Sequence, residues 1–129
     1  MALTSTTFGW LRDGLGNLLA ASEIEKTLSL NAYETPTIAT GVLTVTQTLV
    51  DPQPQSGTTD TVDSIVYADA SEGSIIILQV KATNTITVDD ANINLGAATR
   101  AVAPGGSLML IYDGTQWTEL TFLAGSDNA

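Results

Sequence analysis

The fold is decided by residues 107–122, which read SLMLIYDGTQWTELTF. Two β-prone stretches rich in apolar residues flank Asp113-Gly114, and this dipeptide tolerates the positive φ angles of a tight turn. We therefore predict a β-hairpin with strands at 108–112 and 116–122. The hairpin indicates that the fold class is β-rich.

Upstream of the hairpin, short stretches with the same β-forming composition recur every 8 to 12 residues. The chain contains twenty Thr among its 129 residues, together with many Val and Ile, whose branched Cβ atoms suit a pleated strand. No helical periodicity separates these stretches, so we predict seven or eight strands in an all-β, antiparallel sandwich or jelly-roll-like domain. The upstream strands are predicted at 40–50, 61–67, 74–80, 85–88, 92–95 and 100–103.

The predicted strand at 74–80, SIIILQV, is apolar on both of its faces. A strand with one face in solvent normally alternates apolar and polar residues. This strand therefore lies either at the centre of a sandwich or in a sheet whose other side is covered by a partner.

The N-terminal segment has a different pattern, and we divide the chain into an arm at 1–35, a β-domain at 36–124 and a polar tail at 125–129. Apolar residues recur in the arm at three- and four-residue intervals, which predicts a short helix, although two glycines in it disfavour a helix that stands alone. The large apolar side chains either pack back on their own sheet or insert into a neighbouring subunit. The candidate partner-interface residues are Phe8, Trp10, Leu11, Leu15, Leu18 and Leu19.

Charge and missing residue types exclude many functions. Fourteen Asp and Glu against four Lys and Arg give a net charge of −10, which repels phosphate backbones and anionic lipids, so we expect neither nucleic-acid nor membrane binding. There is no Cys and no His, the residues that supply most thiol nucleophiles, general bases and transition-metal ligands. No apolar run is long enough to span a bilayer, and residues 1–7 do not resemble a signal peptide.

Two local patterns contain residue types that ligand sites use. Asp89-Asp90 with Asn92 and Asn94 is a dense set of oxygen ligands, but it lacks a regular calcium-loop pattern, and a polar turn is the favoured interpretation. Gly105-Gly106 has neither the spacing nor the lysine of a phosphate-binding loop and is interpreted as a turn. We predict no catalytic residue, no metal site and no cofactor.

From residue 61 onward, the order of features resembles a module found in virion proteins of tailed bacteriophages. The resemblance rests on TVDSI at 61–65, EGSIIILQ at 72–79, TITV at 85–88, NINL at 92–95 and SLMLIYDGTQW at 107–117, preceded by GVLTVT at 41–46. The closing pattern L-x-L-x-Y-D-G-T-x-W is its most distinctive part. The resemblance covers about two-thirds of the chain.

The resemblance implies a β-rich structural protein of the virion, usually trimeric, with no catalytic residues. Our first interpretation is a capsid decoration (cement) protein on the capsid surface, assembled in the host cytoplasm, that binds the major capsid protein as a homotrimer. The alternative is a tail fibre or spike domain that binds a host surface receptor. A glycan-cleaving depolymerase is a third possibility, which the shortage of proton-transfer groups disfavours.

Overall fold

The computed structural model of the chain describes residue 30, residues 32–81 and residues 83–126. The chain divides into two compact units, Met1–Leu30 and Asn31–Ala129, and the fold presented here is that of the second. The predicted helix of the arm and the predicted tail beyond residue 126 lie outside the described residues. No helix within the described part of the chain has the length and apolarity needed to cross a membrane.

The described residues form ten strands in three sheets. A five-stranded sheet has the order β2-β5-β9-β10-β7, a three-stranded sheet the order β3-β6-β8, and β1 pairs with β4 alone. The all-β sandwich class that the sequence predicted is confirmed. The strands are β1 (Val42–Thr44), β2 (Leu49–Val50), β3 (Thr59–Val62), β4 (Ser64–Val66), β5 (Ile75–Gln79), β6 (Thr85–Asp89), β7 (Ile93–Asn94), β8 (Thr99–Val102), β9 (Ser107–Tyr112) and β10 (Trp117–Leu123).

The strand directions are mixed, which differs from the antiparallel sandwich or jelly-roll-like domain predicted from the sequence. Strands β1, β2 and β3 each pair in parallel with the third strand after them, about 20 to 30 residues further along the chain. Strands β1, β2 and β3 each lie in a different sheet and thus make one circuit of the domain. Strands β4, β5 and β6 make a second circuit, in which each strand lies beside its counterpart in the first. Parallel neighbours need a long connection, and here the other strands of the circuit supply it.

The later strands close this circuit mainly by antiparallel pairing. Strand β9 pairs with β5, β10 pairs with β9, and β8 pairs with β6, all antiparallel. The β9–β10 hairpin is the one predicted from Asp113-Gly114, and Gly114 has the expected positive φ of 98°. Two predicted strands are each split in two. The stretch 40–50 is interrupted at residues 45–48, and the stretch 61–67 at Asp63.

One hydrophobic core lies between the sheets. Its members come from the five-stranded, three-stranded and two-stranded sheets and from the connections between them. Alternate residues of β5 and β9 point into it, because Ile76, Leu78, Leu108 and Leu110 are at most 1% exposed. The residues between them therefore point away from the core, and they form the surface described next.

Candidate interaction surfaces

The outward side of the five-stranded sheet is largely apolar. In the register of these strands, the outward residues of neighbouring strands lie directly opposite one another, and their side chains therefore share a face. We call the part of this surface that lies on β2, β5, β9 and β10 the outer face. It has three rows: Ile75, Ile111 and Thr118; Leu49, Ile77, Met109 and Thr121; and Gln79, Ser107 and Leu123.

The outer face carries no charged side chain. Six of its ten residues are aliphatic or Met, and the other four are neutral and polar. Ile75 is 39% exposed and Leu123 is 61% exposed, while Ile77 and Met109 at the centre are half-buried by their neighbours. The register with β9 shifts between Glu119 and Thr121, and the side chain of Leu120 at this shift is 51% exposed. Apolar groups that adjoin one another on a sheet are typical of a surface that is covered in an assembly.

A second surface lies at the end of this sheet where the β9–β10 turn meets the turn before β5. Gly73 donates its N–H to the carbonyl of Tyr112 (2.8 Å), and Tyr112 donates to Ser74 (2.8 Å). Beneath these turns Trp117 is 3% exposed and contacts two half-buried rings, Tyr67 in a near-parallel stack at 6.3 Å and Tyr112 tilted by 55° at 5.2 Å. We call the two turns and the two tyrosines the aromatic end.

The turn of the hairpin is held by one carboxylate. Asp113 accepts hydrogen bonds from the backbone N–H groups of Thr115 (2.8 Å) and Gln116 (2.9 Å) and from the hydroxyl of Thr118 (3.3 Å). These donors, with the Gln116 N–H first, lower the pKa of Asp113 below its ordinary value of 3.8. The carboxylate is thus committed to the turn, and the exposed backbone around it has a fixed shape.

Both cations of the described residues have partners within the chain. Arg100 pairs with Glu119 and lies over the ring of Phe122 at 4.8 Å, and the ammonium of Lys81 lies over the ring of Tyr33 at 4.3 Å. The hydroxyl of Tyr33 also bonds the side chain of Gln79, at one corner of the outer face. The remaining charges described are carboxylates, which leaves this part of the chain acidic at its surface.

The oxygen-rich cluster considered for calcium folds as a turn. Asp89 accepts the N–H of Ala91 (2.8 Å), and Asp90 accepts the N–H of Leu95 (2.9 Å). Asn92 donates to the carbonyl of Asp63 (3.2 Å), so these side chains are bonded to nearby backbone. Within residues 30, 32–81 and 83–126, no three His, Cys, Asp or Glu come together as a metal site.

The glycine pair considered for phosphate binding also lies in a turn. Gly105 has a φ of 81°, and its N–H bonds the carbonyl of Val80 (2.9 Å). Gly106 lies against the backbone of Ala124, where a Cβ would come within 2.4 Å of the carbonyl oxygen. The pair therefore serves close backbone packing, as the turn interpretation expected.

Comparison with known families gives the decisive match. Residues 34–118 match the family described as the phage depolymerase C-terminal β-sandwich domain. The chain belongs to this family. The matched range begins at Glu34, which pairs with Val50, and ends at the second residue of β10. It therefore contains both circuits and most of the outer face. A comparison with curated protein sequences gave no match.

Membership of the phage depolymerase C-terminal β-sandwich family confirms the bacteriophage and β-sandwich parts of the resemblance noted in the sequence, and indicates a virion-associated structural protein. It does not favour capsid decoration, our first interpretation. The family match begins at Glu34, and the residues predicted as a partner interface precede it. Phe8, Trp10, Leu11, Leu15, Leu18 and Leu19 lie outside the described residues, and their role stays a prediction.

Sequence reasoning missed the outer face as a site. The sequence SIIILQV at 74–80 is apolar on both faces, which indicates either the centre of a sandwich or a sheet whose other side is covered by a partner. The full surface forms only because this strand pairs with β9 and β2, which places Ile111, Met109 and Leu49 on the same side. Neither pairing follows from the sequence of one strand.

Proposed function

We propose that this chain is a structural domain of a phage tail fibre or spike and that it helps the particle to contact the host surface. The match of residues 34–118 to a domain named for phage depolymerases carries the proposal. Proteins that a phage uses to attack polymers act where the particle meets its host, and this favours the tail over the shell. The tail subunits and further copies of the chain are then its partners.

The aromatic end supports the recognition part of this role. Two half-buried tyrosine rings, Tyr67 and Tyr112, lie beside exposed turns whose backbone is fixed by hydrogen bonds. Binding residues commonly lie on loops that a rigid scaffold positions, and aromatic groups with a few polar neighbours are typical of ligand sites. We therefore assign receptor contact to this end of the domain.

We also propose that the chain is not itself an enzyme. It has no His or Cys to transfer protons or attack a substrate. The Asp113 and Glu119 carboxylates are engaged in the turn and in the pair with Arg100. Polymer cleavage would be the work of other parts of the particle. Incubation of the full chain with host polysaccharide should release no reducing ends, and release would contradict this part of the proposal.

The experiment measures binding of the fluorescently labelled full chain to host cells and, separately, to purified phage capsids. We expect saturable binding to cells and none to capsids. In the turn of the aromatic end, Thr115→Arg places a bulky charge at an exposed position and should weaken cell binding about tenfold, which is ~1.4 kcal/mol.

Thr58→Arg is the matched control, because Thr58 is also an exposed turn threonine but lies on the loop before β3. It should bind cells as the wild type does. Binding to capsids without binding to cells would contradict the proposal and support capsid decoration with the major capsid protein as partner. Equal losses in both variants would contradict the assignment to the aromatic end.

A further inference from the structure

We infer that Tyr67 and Tyr112 bind the host receptor through their hydroxyl groups, and that Trp117 positions both rings without touching the receptor. The inference rests on the proposed role of the aromatic end in receptor contact and names the atoms that carry that role. It also assigns the chemistry of the receptor at this point: uncharged groups that donate or accept hydrogen bonds.

The hydroxyl groups of the three tyrosines are in two different situations. The hydroxyl of Tyr33 bonds the side chain of Gln79, the last residue of β5, at the end of that strand remote from the aromatic end. The hydroxyls of Tyr67 and Tyr112 form no hydrogen bond with any residue of the described part of the chain. Tyrosine hydroxyls that leave solvent usually find a partner, and at a half-buried surface position a ligand can supply it.

Ring contacts with Trp117 orient both tyrosine side chains. The planes of Tyr67 and Trp117 are 10° apart, with their centroids 6.3 Å from one another, and Tyr112 lies directly opposite Trp117 in the β9–β10 register at 5.2 Å. These are favourable distances for aromatic pairs. Because no hydroxyl bond within the described residues holds either ring, the contact with Trp117 determines where each hydroxyl points.

Trp117 is itself fixed and is out of reach of a ligand. Its backbone lies between two ladder partners, Tyr112 of β9 and Ile93 of β7. Only 3% of its surface is exposed, so a bound receptor contacts the tyrosines and not the indole. A contact residue held from behind by a rigid, buried side chain is pre-organised for binding. Trp117 is therefore a positioning residue.

The charge around the tyrosines limits the kind of group that they can bind. The charged side chains in residues 67–74 and 112–117 are all carboxylates, those of Asp69, Glu72 and Asp113. They repel an acidic polymer, and the net charge of −10 on the whole chain adds to this effect. A phenol hydroxyl is neutral and bonds neutral donors and acceptors, so we assign to the receptor uncharged groups such as hydroxyls and amides.

The test measures binding of the labelled full chain to host cells after removal of single hydroxyl groups. Tyr67→Phe and Tyr112→Phe keep the ring, and each should weaken binding about three- to tenfold without changing urea denaturation. Tyr33→Phe is the matched control, because its hydroxyl is bonded within the fold. It should bind cells as the wild type does and unfold at a lower urea concentration.

Trp117→Phe tests the positioning role. It should weaken cell binding in the wild-type background and have little further effect on binding when Tyr67 and Tyr112 are both Phe. Its cost in urea denaturation should be the same in the two backgrounds. Circular dichroism verifies that each variant is folded. Equal losses of binding in the two backgrounds would contradict the positioning role, because a general loosening of the domain does not depend on the hydroxyls.

Three further outcomes would overturn the inference. If Tyr67→Phe and Tyr112→Phe bind as the wild type does, or if Tyr33→Phe loses as much, the inference fails while the proposed receptor role stands. A steep fall in wild-type binding as salt rises from about 0.05 to about 0.5 M would contradict the uncharged receptor chemistry. A wild-type chain that binds no cells would contradict the proposed function, and the inference with it.

Discussion

Arg100 and Glu119 join the three-stranded sheet to the five-stranded sheet through a two-point ion pair. The Nε of Arg100 donates to Oε2 of Glu119 at 2.7 Å, and a terminal guanidinium nitrogen donates to Oε1 at 3.0 Å. The backbone N–H of Gly96 donates to the same Oε1 at 2.6 Å. With side chains 26% and 10% exposed, the pair fixes how β8 and β10 sit against one another.

Replacement of this carboxylate should weaken the fold. Glu119→Gln keeps the shape of the side chain but removes the charge that receives three hydrogen bonds, and we expect a loss of about 1 to 3 kcal/mol in the free energy of unfolding. Urea denaturation at pH 7 measures it. Asp60→Asn, at a half-buried carboxylate that accepts only N–H groups of nearby backbone, serves as a control for charge removal and should cost less. Equal losses would contradict the special role of Glu119.

The same pair makes the stability depend on pH. The hydrogen bond from Arg100 is the main reason why the pKa of Glu119 lies below its ordinary value of 4.5 in the folded chain. A carboxyl with a lowered pKa stabilises the fold above its unfolded value and loses that contribution as the pH falls through the folded value. The gap between wild type and Glu119→Gln should therefore be full near pH 6 and shrink below about pH 4.5. A gap that does not change with pH would contradict this account.

Gly106 is required for the C-terminal residues to pack on the turn after β8. The N–H of Ala103 donates to the carbonyl of Ala124 (2.8 Å), and a Cβ on Gly106 would meet that carbonyl. Gly106→Ala should cost about 2 to 3 kcal/mol, in the upper part of the range for overpacking. In Gly57→Ala, where φ is 71° and no atom lies near, only backbone strain of about 1 kcal/mol is expected. Thermal and urea denaturation compare the two, and a larger loss at Gly57 would contradict the steric argument.

The turn of the hairpin gives a spectroscopic prediction. Because the N–H groups of Gln116 and Thr115 stabilise its charged form, the carboxyl of Asp113 should titrate below 3.8 in an NMR pH series. Thr118→Val removes the weakest of its three donors and should move the pKa upward by only a small amount. A value above 3.8 in the wild type would show that these bonds do not form in solution.

The sequence predicted the hairpin well, because its signal is local. Asp113-Gly114 fixes the turn, and the flanking strands must then pair with each other. The parallel pairs could not be predicted from a local signal of this kind. Alternation along β3 looks the same whichever way its neighbour runs, and the partner β6 is distant in the chain. The break in the predicted strand at 40–50 also has a remote cause, since the carboxylate of Glu34 binds the N–H and hydroxyl of Thr46.

The most direct test of the account is a density map of the phage particle that carries this chain. We predict that the chain lies on the tail, with the aromatic end directed outward. A map that shows many copies spaced over the capsid and none on the tail would contradict the tail assignment.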